Sequence, residues 1–148
     1  MISNKKTLTL EGAKKIAARA AEKAKELNVP GVVAVVDESG SLIYMERWND
    51  TMPAAANITI GKAATAAAFN RPTKKLEDLI QNQRLSMLDL SGITSTPYVP
   101  LMGGYPIIYE GQTIGAVAVG GAITGENDEI IASYASEAFV LKEELISN

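Results

Sequence analysis

The 148-residue sequence contains neither cysteine nor histidine. Without cysteine there is no disulfide bond, thiol nucleophile, thiolate metal site or iron–sulfur cluster. Without histidine the chain lacks the usual general base, the usual zinc ligand and the usual proximal haem ligand. These two absences exclude hydrolases that use a Ser-His-Asp triad or a Cys-His pair. No metal site is predicted, and no catalytic residue can be named from the sequence.

Long apolar runs and an excess of basic charge are also missing. No stretch reaches the roughly 18 apolar residues of a membrane span, and the opening residues MISNKKTLTL lack the apolar core of a signal peptide. The formal net charge of −3 provides no basic surface for nucleic acid. We therefore expect a cytoplasmic protein with neither a nucleic-acid nor a membrane partner.

Hydrophobic residues make up 47% of the chain, which is enough to build a core. No linker divides the sequence, so we expect a single domain over residues 1–148. Apolar residues at helical spacing predict an amphipathic helix that is capped by Thr9 and ends at Asn28. Two apolar runs at 32–36 and 42–48 predict a first β-hairpin.

The stretch 103–121, GGYPIIYEGQTIGAVAVGG, predicts a second hairpin with its turn at Glu110-Gly111. Both arms are apolar on both faces, which is typical of central strands whose two faces are covered by other layers or other subunits. A glycine pair stands at each outer end of the hairpin. These pairs form tight turns alone, or they present backbone N–H groups that can bind an anion. The pairs are Gly103-Gly104 and Gly120-Gly121.

Residues 54–69 form an alanine-rich segment with one charge, Lys62, and predict an almost wholly buried helix. A lysine within such a helix reaches solvent, pairs with a carboxylate, or contacts an anionic ligand. Thr65 lies nearly one turn further on and shares the same helix face, where its hydroxyl adds a donor beside the ammonium group.

The remaining segments predict two helices and a loop. Thr73 can cap a short helix. Residues 83–100 combine a helix-like apolar pattern with residues typical of a loop, and this stretch could cover a site. A last helix begins at residues 125–127, and its acidic first turn, including Asp128, complements the helix dipole. Its predicted apolar stripe comprises Ile131, Tyr134, Ala135, Ala138, Leu141 and Leu145.

Four segments in this order resemble the GlcG/HbpS-like family, whose members are commonly named haem-binding and also occur as the C-terminal domain of PduO-type proteins. The segments are LTLEGAKKIAARAAEKAKEL, VVAVVDESGSLIYMERWND, KAATAAAFNRPT and the second hairpin with the acidic helix start after it. The resemblance implies a profilin-like α+β fold, in which helices cover both faces of a central antiparallel β-sheet. The order α-β-β-α-β-β-α read from the residues agrees with that fold.

The resemblance also implies a ligand, which is haem or a related cofactor in some members, and an oligomeric assembly. The KxxTA and GGxP motifs of the family fall on Lys62, Thr65, Gly103, Gly104 and Pro106, whereas Gly120 stands in place of an expected serine. Since histidine and cysteine are absent, a haem iron could be ligated only by oxygen, thioether or amine donors. Those donors are Tyr105, Met102, Met87, Thr65 and Lys62.

Three functions remain open at this point. The first is a pocket for haem, a related tetrapyrrole or another anionic metabolite, with Lys62 as counter-charge. The second is an enzyme that uses Lys62 as a base or as a Schiff-base nucleophile on a carbonyl metabolite. The third is an oligomeric interaction module without a small ligand.

We expect a homo-oligomer built from dimers, because the alanine-rich helices and doubly apolar strands offer much surface to bury. The predicted ligand-binding residues are Lys62, Thr65, Gly103, Gly104, Tyr105, Pro106, Gly120 and Gly121.

Overall fold

The structure is a computed structural model that describes the backbone of residues 1–147 and the side chains of residues 1–137. The described residues form five α-helices, one 3-10 helix and four β-strands. The helices are α1 (Leu10–Leu27), α2 (Ala55–Phe69), α3 (Thr73–Gln81), the 3-10 helix (Leu85–Asp89), α4 (Leu90–Thr94) and α5 (Gly125–Ser147). The strands are β1 (Val32–Asp37), β2 (Leu42–Arg47), β3 (Gly104–Tyr109) and β4 (Gln112–Gly120).

The four strands make one antiparallel sheet in the order β2-β1-β4-β3. The two predicted hairpins therefore join through their inner strands, β1 and β4. The prediction that both arms of the second hairpin are central is wrong, because β3 forms an edge of the sheet and Ile108 on it is 44% exposed. An edge strand tolerates Pro106, which has no backbone N–H to donate.

Helices cover both faces of this sheet. On one face, α2 packs small residues, such as Ala63 and Ala66, against Ala34, Ala116 and Ala118 of the central strands. On the other face, α1 and α5 bury a larger cluster around Ile16 and Ile131. The predicted α+β, profilin-like fold is thus confirmed. The chain's own helices cover both faces of the central strands β1 and β4, so other subunits are not needed for that purpose.

Local sequence signals explain both ends of α1. The Thr9 hydroxyl accepts a hydrogen bond from the Gly12 N–H at 3.0 Å, which confirms the predicted cap of α1. Asn28 ends that helix in the left-handed conformation, with φ of 54°. Thr73 is not the cap of α3, because Pro72 occupies that position. The Thr73 hydroxyl instead accepts a hydrogen bond from the Gly104 N–H at 2.9 Å, and so ties α3 to β3.

Residues 83–101 form a surface segment that contains the 3-10 helix and α4, neither of which has a buried residue. The Val99 N–H donates to the Thr65 hydroxyl at 2.8 Å, and the Tyr98 ring meets Phe69 edge to face. The segment therefore covers part of α2 and leaves apolar side chains exposed. These are Leu85, Leu88, Ile93 and Leu101.

In α5, the predicted apolar stripe is partly described. Ile131 and Ala135 are fully buried, and Tyr134 is half-buried. Ala138, Leu141 and Leu145 lie outside the described side chains. Within the described part of the chain, no helix has both the length and the apolar character of a membrane span.

Candidate functional site

The Lys62 side chain is buried where four parts of the fold meet. Lys62 is 3% exposed. Its ammonium group donates to the Val119 carbonyl at 2.9 Å, the Met102 carbonyl at 3.0 Å and the Asp128 carboxylate at 3.3 Å. All three N–H bonds of the ammonium group therefore have acceptors within the chain. Lys62 links α2, the residues before β3, β4 and α5.

Asp128 is the ion-pair partner of Lys62 and is 7% exposed. Its second carboxylate oxygen accepts a hydrogen bond from the Ala122 N–H at 2.9 Å. Burial raises the pKa of Asp128, and the neighbouring Lys62 ammonium opposes that rise. The sequence interpretation of Asp128 as a helix-dipole residue misses this pair, since only the fold brings the two residues together.

The glycine pair at the start of β3 does not leave its N–H groups free for a ligand. The Gly103 N–H donates to the Glu129 carboxylate at 3.0 Å, and Gly104 donates to Thr73. Gly103 has φ of 115°, and a Cβ atom there would lie 2.6 Å from the Val119 carbonyl oxygen. This close approach of the two chain segments positions the Met102 and Val119 carbonyl groups, which accept hydrogen bonds from Lys62.

Gly120 and Gly121 form the pair at the end of β4. The Thr59 hydroxyl occupies the space that a Cβ atom at Gly120 would need, which explains why glycine stands there in place of a serine. Gly121 has φ of 75° and packs against Ala55 and Thr51. Both glycines thus permit close packing of α2 on the sheet.

The hydroxyl groups of Tyr105 and Thr65 also form hydrogen bonds with other residues of the chain. The Tyr105 hydroxyl donates to the Glu129 carboxylate, and burial together with this hydrogen bond raises the pKa of Tyr105 to about 12. The Thr65 hydroxyl donates to the Gly61 carbonyl at 2.7 Å and accepts from Val99. Pro106 is buried on β3.

The structure therefore brings four of the eight predicted residues together around one buried ion pair, namely Lys62, Gly103, Gly104 and Gly120. That these residues bind a ligand stays a prediction. An anion could approach the ammonium group only by replacing Asp128 or a carbonyl. The same arrangement does not favour nucleophilic attack by Lys62, because a protonated amine with three acceptors has no lone pair to react.

A cleft of about 850 Å³ lies elsewhere, between the end of α1 and the end of β2. None of the eight predicted residues lines it. The sequence does not identify three of the lining residues as parts of a site, namely Lys25, Arg47 and Trp48. Lys25 is far from the other two along the chain, and only the fold brings the three together. The one sequence feature that could have indicated this cleft is the single tryptophan, which follows an arginine at the end of a strand. The lining residues are Ala21, Ala24, Lys25, Asn28, Val29, Pro30, Glu46, Arg47, Trp48, Asn49 and Asp50.

The sheet, its helical layers and the open cleft define a small α+β protein with room for a small molecule. The family model described as "Haem degrading protein HbpS-like" matches residues 8–137. The chain belongs to the HbpS-like family, as the sequence resemblance predicted.

Two relatives agree with this assignment. The 15.0 kDa protein of the dhaT-dhaS intergenic region of Citrobacter freundii is 37% identical over 133 residues, which are 90% of this chain and 92% of that protein. Protein GlcG of Escherichia coli K12 is 36% identical over 118 residues, which are 80% of this chain and 84% of GlcG.

Two solved structures are similar in fold and sequence. Protein ORFY of Klebsiella pneumoniae has a TM-score of 0.85 and 30% identity, with 93% of this chain and 94% of that chain covered. A PduOC:haem complex has a TM-score of 0.80 and 29% identity, with 89% of this chain and 94% of that chain covered.

Proposed function

We propose that this protein binds haem or a related planar, anionic tetrapyrrole. The observation that carries the proposal is the similarity to the PduOC chain that was solved with haem, because it extends over 89% of this chain. The cleft of about 850 Å³ is compatible with such a ligand, since cofactor sites usually measure about 300–1,000 Å³. Ligand binding is the function that this combination of family and cleft supports best.

The donor atoms of the chain do not fit ligation of a haem iron by imidazole or thiolate, because it has no histidine and no cysteine. Three predicted donors already serve the fold: Lys62, Thr65 and Tyr105 hold internal hydrogen bonds. The other two predicted donors, Met87 and Met102, are half-buried residues. We therefore infer that the protein recognises the ring and the carboxylates of a tetrapyrrole and does not depend on its metal.

A comparison of haemin with metal-free protoporphyrin tests this proposal. Both should bind, with dissociation constants within about tenfold of each other, because ring contacts and charge contacts are common to the two ligands. Absorbance titration of the purified protein measures both constants, and an aliphatic dicarboxylate serves as the control that lacks a ring. Binding of haemin alone would show metal ligation, and binding of neither ligand would contradict the proposed function.

We also propose that the protein forms a homo-oligomer built from dimers. The exposed apolar side chains Leu85, Leu88 and Ile93 of the 83–101 segment, together with Ile108 on the edge strand, support this proposal. Light scattering at micromolar concentration should give at least twice the monomer mass. The double variant Leu88→Lys/Ile93→Lys should lower the mass if that segment lies in the interface. A monomer mass for the wild-type protein would contradict the proposal.

A further inference from the structure

The indole of Trp48 forms a fixed aromatic wall of the cleft. The Trp48 backbone N–H donates to the Gly31 carbonyl at 2.9 Å, and the ring lies so close to Gly31 that a Cβ atom there would be 3.0 Å from it. The indole N–H donates to the Glu46 carboxylate at 3.1 Å. With its backbone and ring both held, the indole loses little side-chain entropy when a ligand stacks on it.

Two cations stand beside this wall. Lys25 on α1 and Arg47 on β2 both line the cleft and are exposed. Among the described residues, neither side chain makes an ion pair or a hydrogen bond. Both positive charges are therefore available to an anion that enters the cleft.

Two carboxylates, Glu46 and Asp50, also line the cleft, and Glu46 is already engaged by other residues of the chain. Both oxygens of Glu46 already accept hydrogen bonds, one from the Trp48 indole and one from the Tyr44 hydroxyl at 2.7 Å. Asp50 is the other carboxylate of the lining. The rest of the lining is neutral, and its small apolar part comes from α1 and the turn after it, through Ala21, Ala24, Val29 and Pro30.

We propose that this cleft is the ligand site, with a planar aromatic dianion stacked on the Trp48 indole and its carboxylates directed to Lys25 and Arg47. This inference rests on the proposed tetrapyrrole binding. It moves the site away from the Lys62 cluster, where the ammonium and glycine N–H groups already have partners.

Trp48 is the one tryptophan of the chain, so its fluorescence reports on the cleft directly. Titration of wild-type protein with protoporphyrin should quench this emission in step with the absorbance change. Trp48→Phe keeps an aromatic wall and should retain most of the affinity, whereas Trp48→Leu should lose about tenfold.

The charges are tested with Lys25→Gln/Arg47→Gln, which should weaken protoporphyrin binding by about tenfold and reduce its dependence on salt. The matched control is Lys75→Gln/Arg84→Gln, which removes the same charge from exposed positions near the opposite edge of the sheet and should leave affinity unchanged. Circular dichroism confirms that each variant is folded.

The outcomes separate this inference from the proposed function. If wild-type protein binds protoporphyrin but Trp48→Leu and the Lys25/Arg47 variant bind equally well, the ligand lies elsewhere and only the cleft assignment is overturned. The same conclusion follows if Trp48→Leu changes the oligomer mass and not the affinity. If wild-type protein binds no tetrapyrrole, both proposals fall.

Discussion

Lys62→Met should lower the free energy of unfolding by about 3–5 kcal/mol, because the substitution leaves Asp128 as an unpaired carboxylate in the interior. Methionine fills a similar volume, so packing changes contribute little. Two carbonyl groups, those of Met102 and Val119, also lose their donor. Urea denaturation of the wild type and the variant measures the difference.

Matched variants isolate the ion pair from other effects. Lys62→Met/Asp128→Asn should recover part of the lost stability, because no unpaired charge remains buried. Lys74→Met removes a lysine from a half-exposed pair with Asp78 and should cost at most about 1 kcal/mol. Unchanged stability of Lys62→Met with a ten- to hundredfold loss of ligand affinity would instead support Lys62 as the counter-charge of a ligand.

The loss of folding stability in Lys62→Met should depend on pH. In the folded variant, burial raises the pKa of Asp128 further above its unfolded value, since the Lys62 ammonium no longer opposes that rise. The folded form then binds a proton more tightly than the unfolded form, so stability is greatest below the unfolded pKa and falls as pH rises through the folded pKa. The variant should therefore approach the wild type in stability under acidic conditions.

Gly103→Ala should destabilise the fold by about 3 kcal/mol, although it alters no charge. The residue adopts φ of 115°, which an L side chain rarely adopts, and its added Cβ would lie 2.6 Å from the Val119 carbonyl oxygen. That oxygen belongs to the backbone of central strand β4, so it cannot rotate away. Since it also accepts from Lys62, any shift of β3 or β4 disturbs the ion-pair site.

Gly92→Ala is the control for this substitution. Gly92 lies in α4 with nothing within 4 Å of an added Cβ, so alanine should be neutral or stabilise by up to about 1 kcal/mol. Thermal and urea unfolding of both variants give the comparison. A loss below about 1 kcal/mol in Gly103→Ala would show that the junction of β3 and β4 is more adaptable than its geometry indicates.

Local chemistry made much of the fold predictable. The Thr9 cap, the helix end at Asn28 and the Glu110-Gly111 turn depend on residues that are close together in the chain, so a sequence shows them directly. The alanine density of α2 likewise predicted burial, because small side chains allow close packing on a sheet. The edge position of β3 was not predictable, since its apolar composition resembles that of a central strand and the order of strands depends on how the hairpins pair.

The sequence alone determined that this protein has an α+β fold, a helix with one buried lysine and no histidine or thiolate with which to hold a metal. Tertiary structure decided what the lysine does, because its three acceptors come from segments 40, 57 and 66 residues away along the chain. Tertiary structure also assembled the cleft, where Lys25 meets Trp48 and Arg47. Secondary structure follows from neighbouring residues, whereas a buried charge and an open cleft depend on which distant segments pack together.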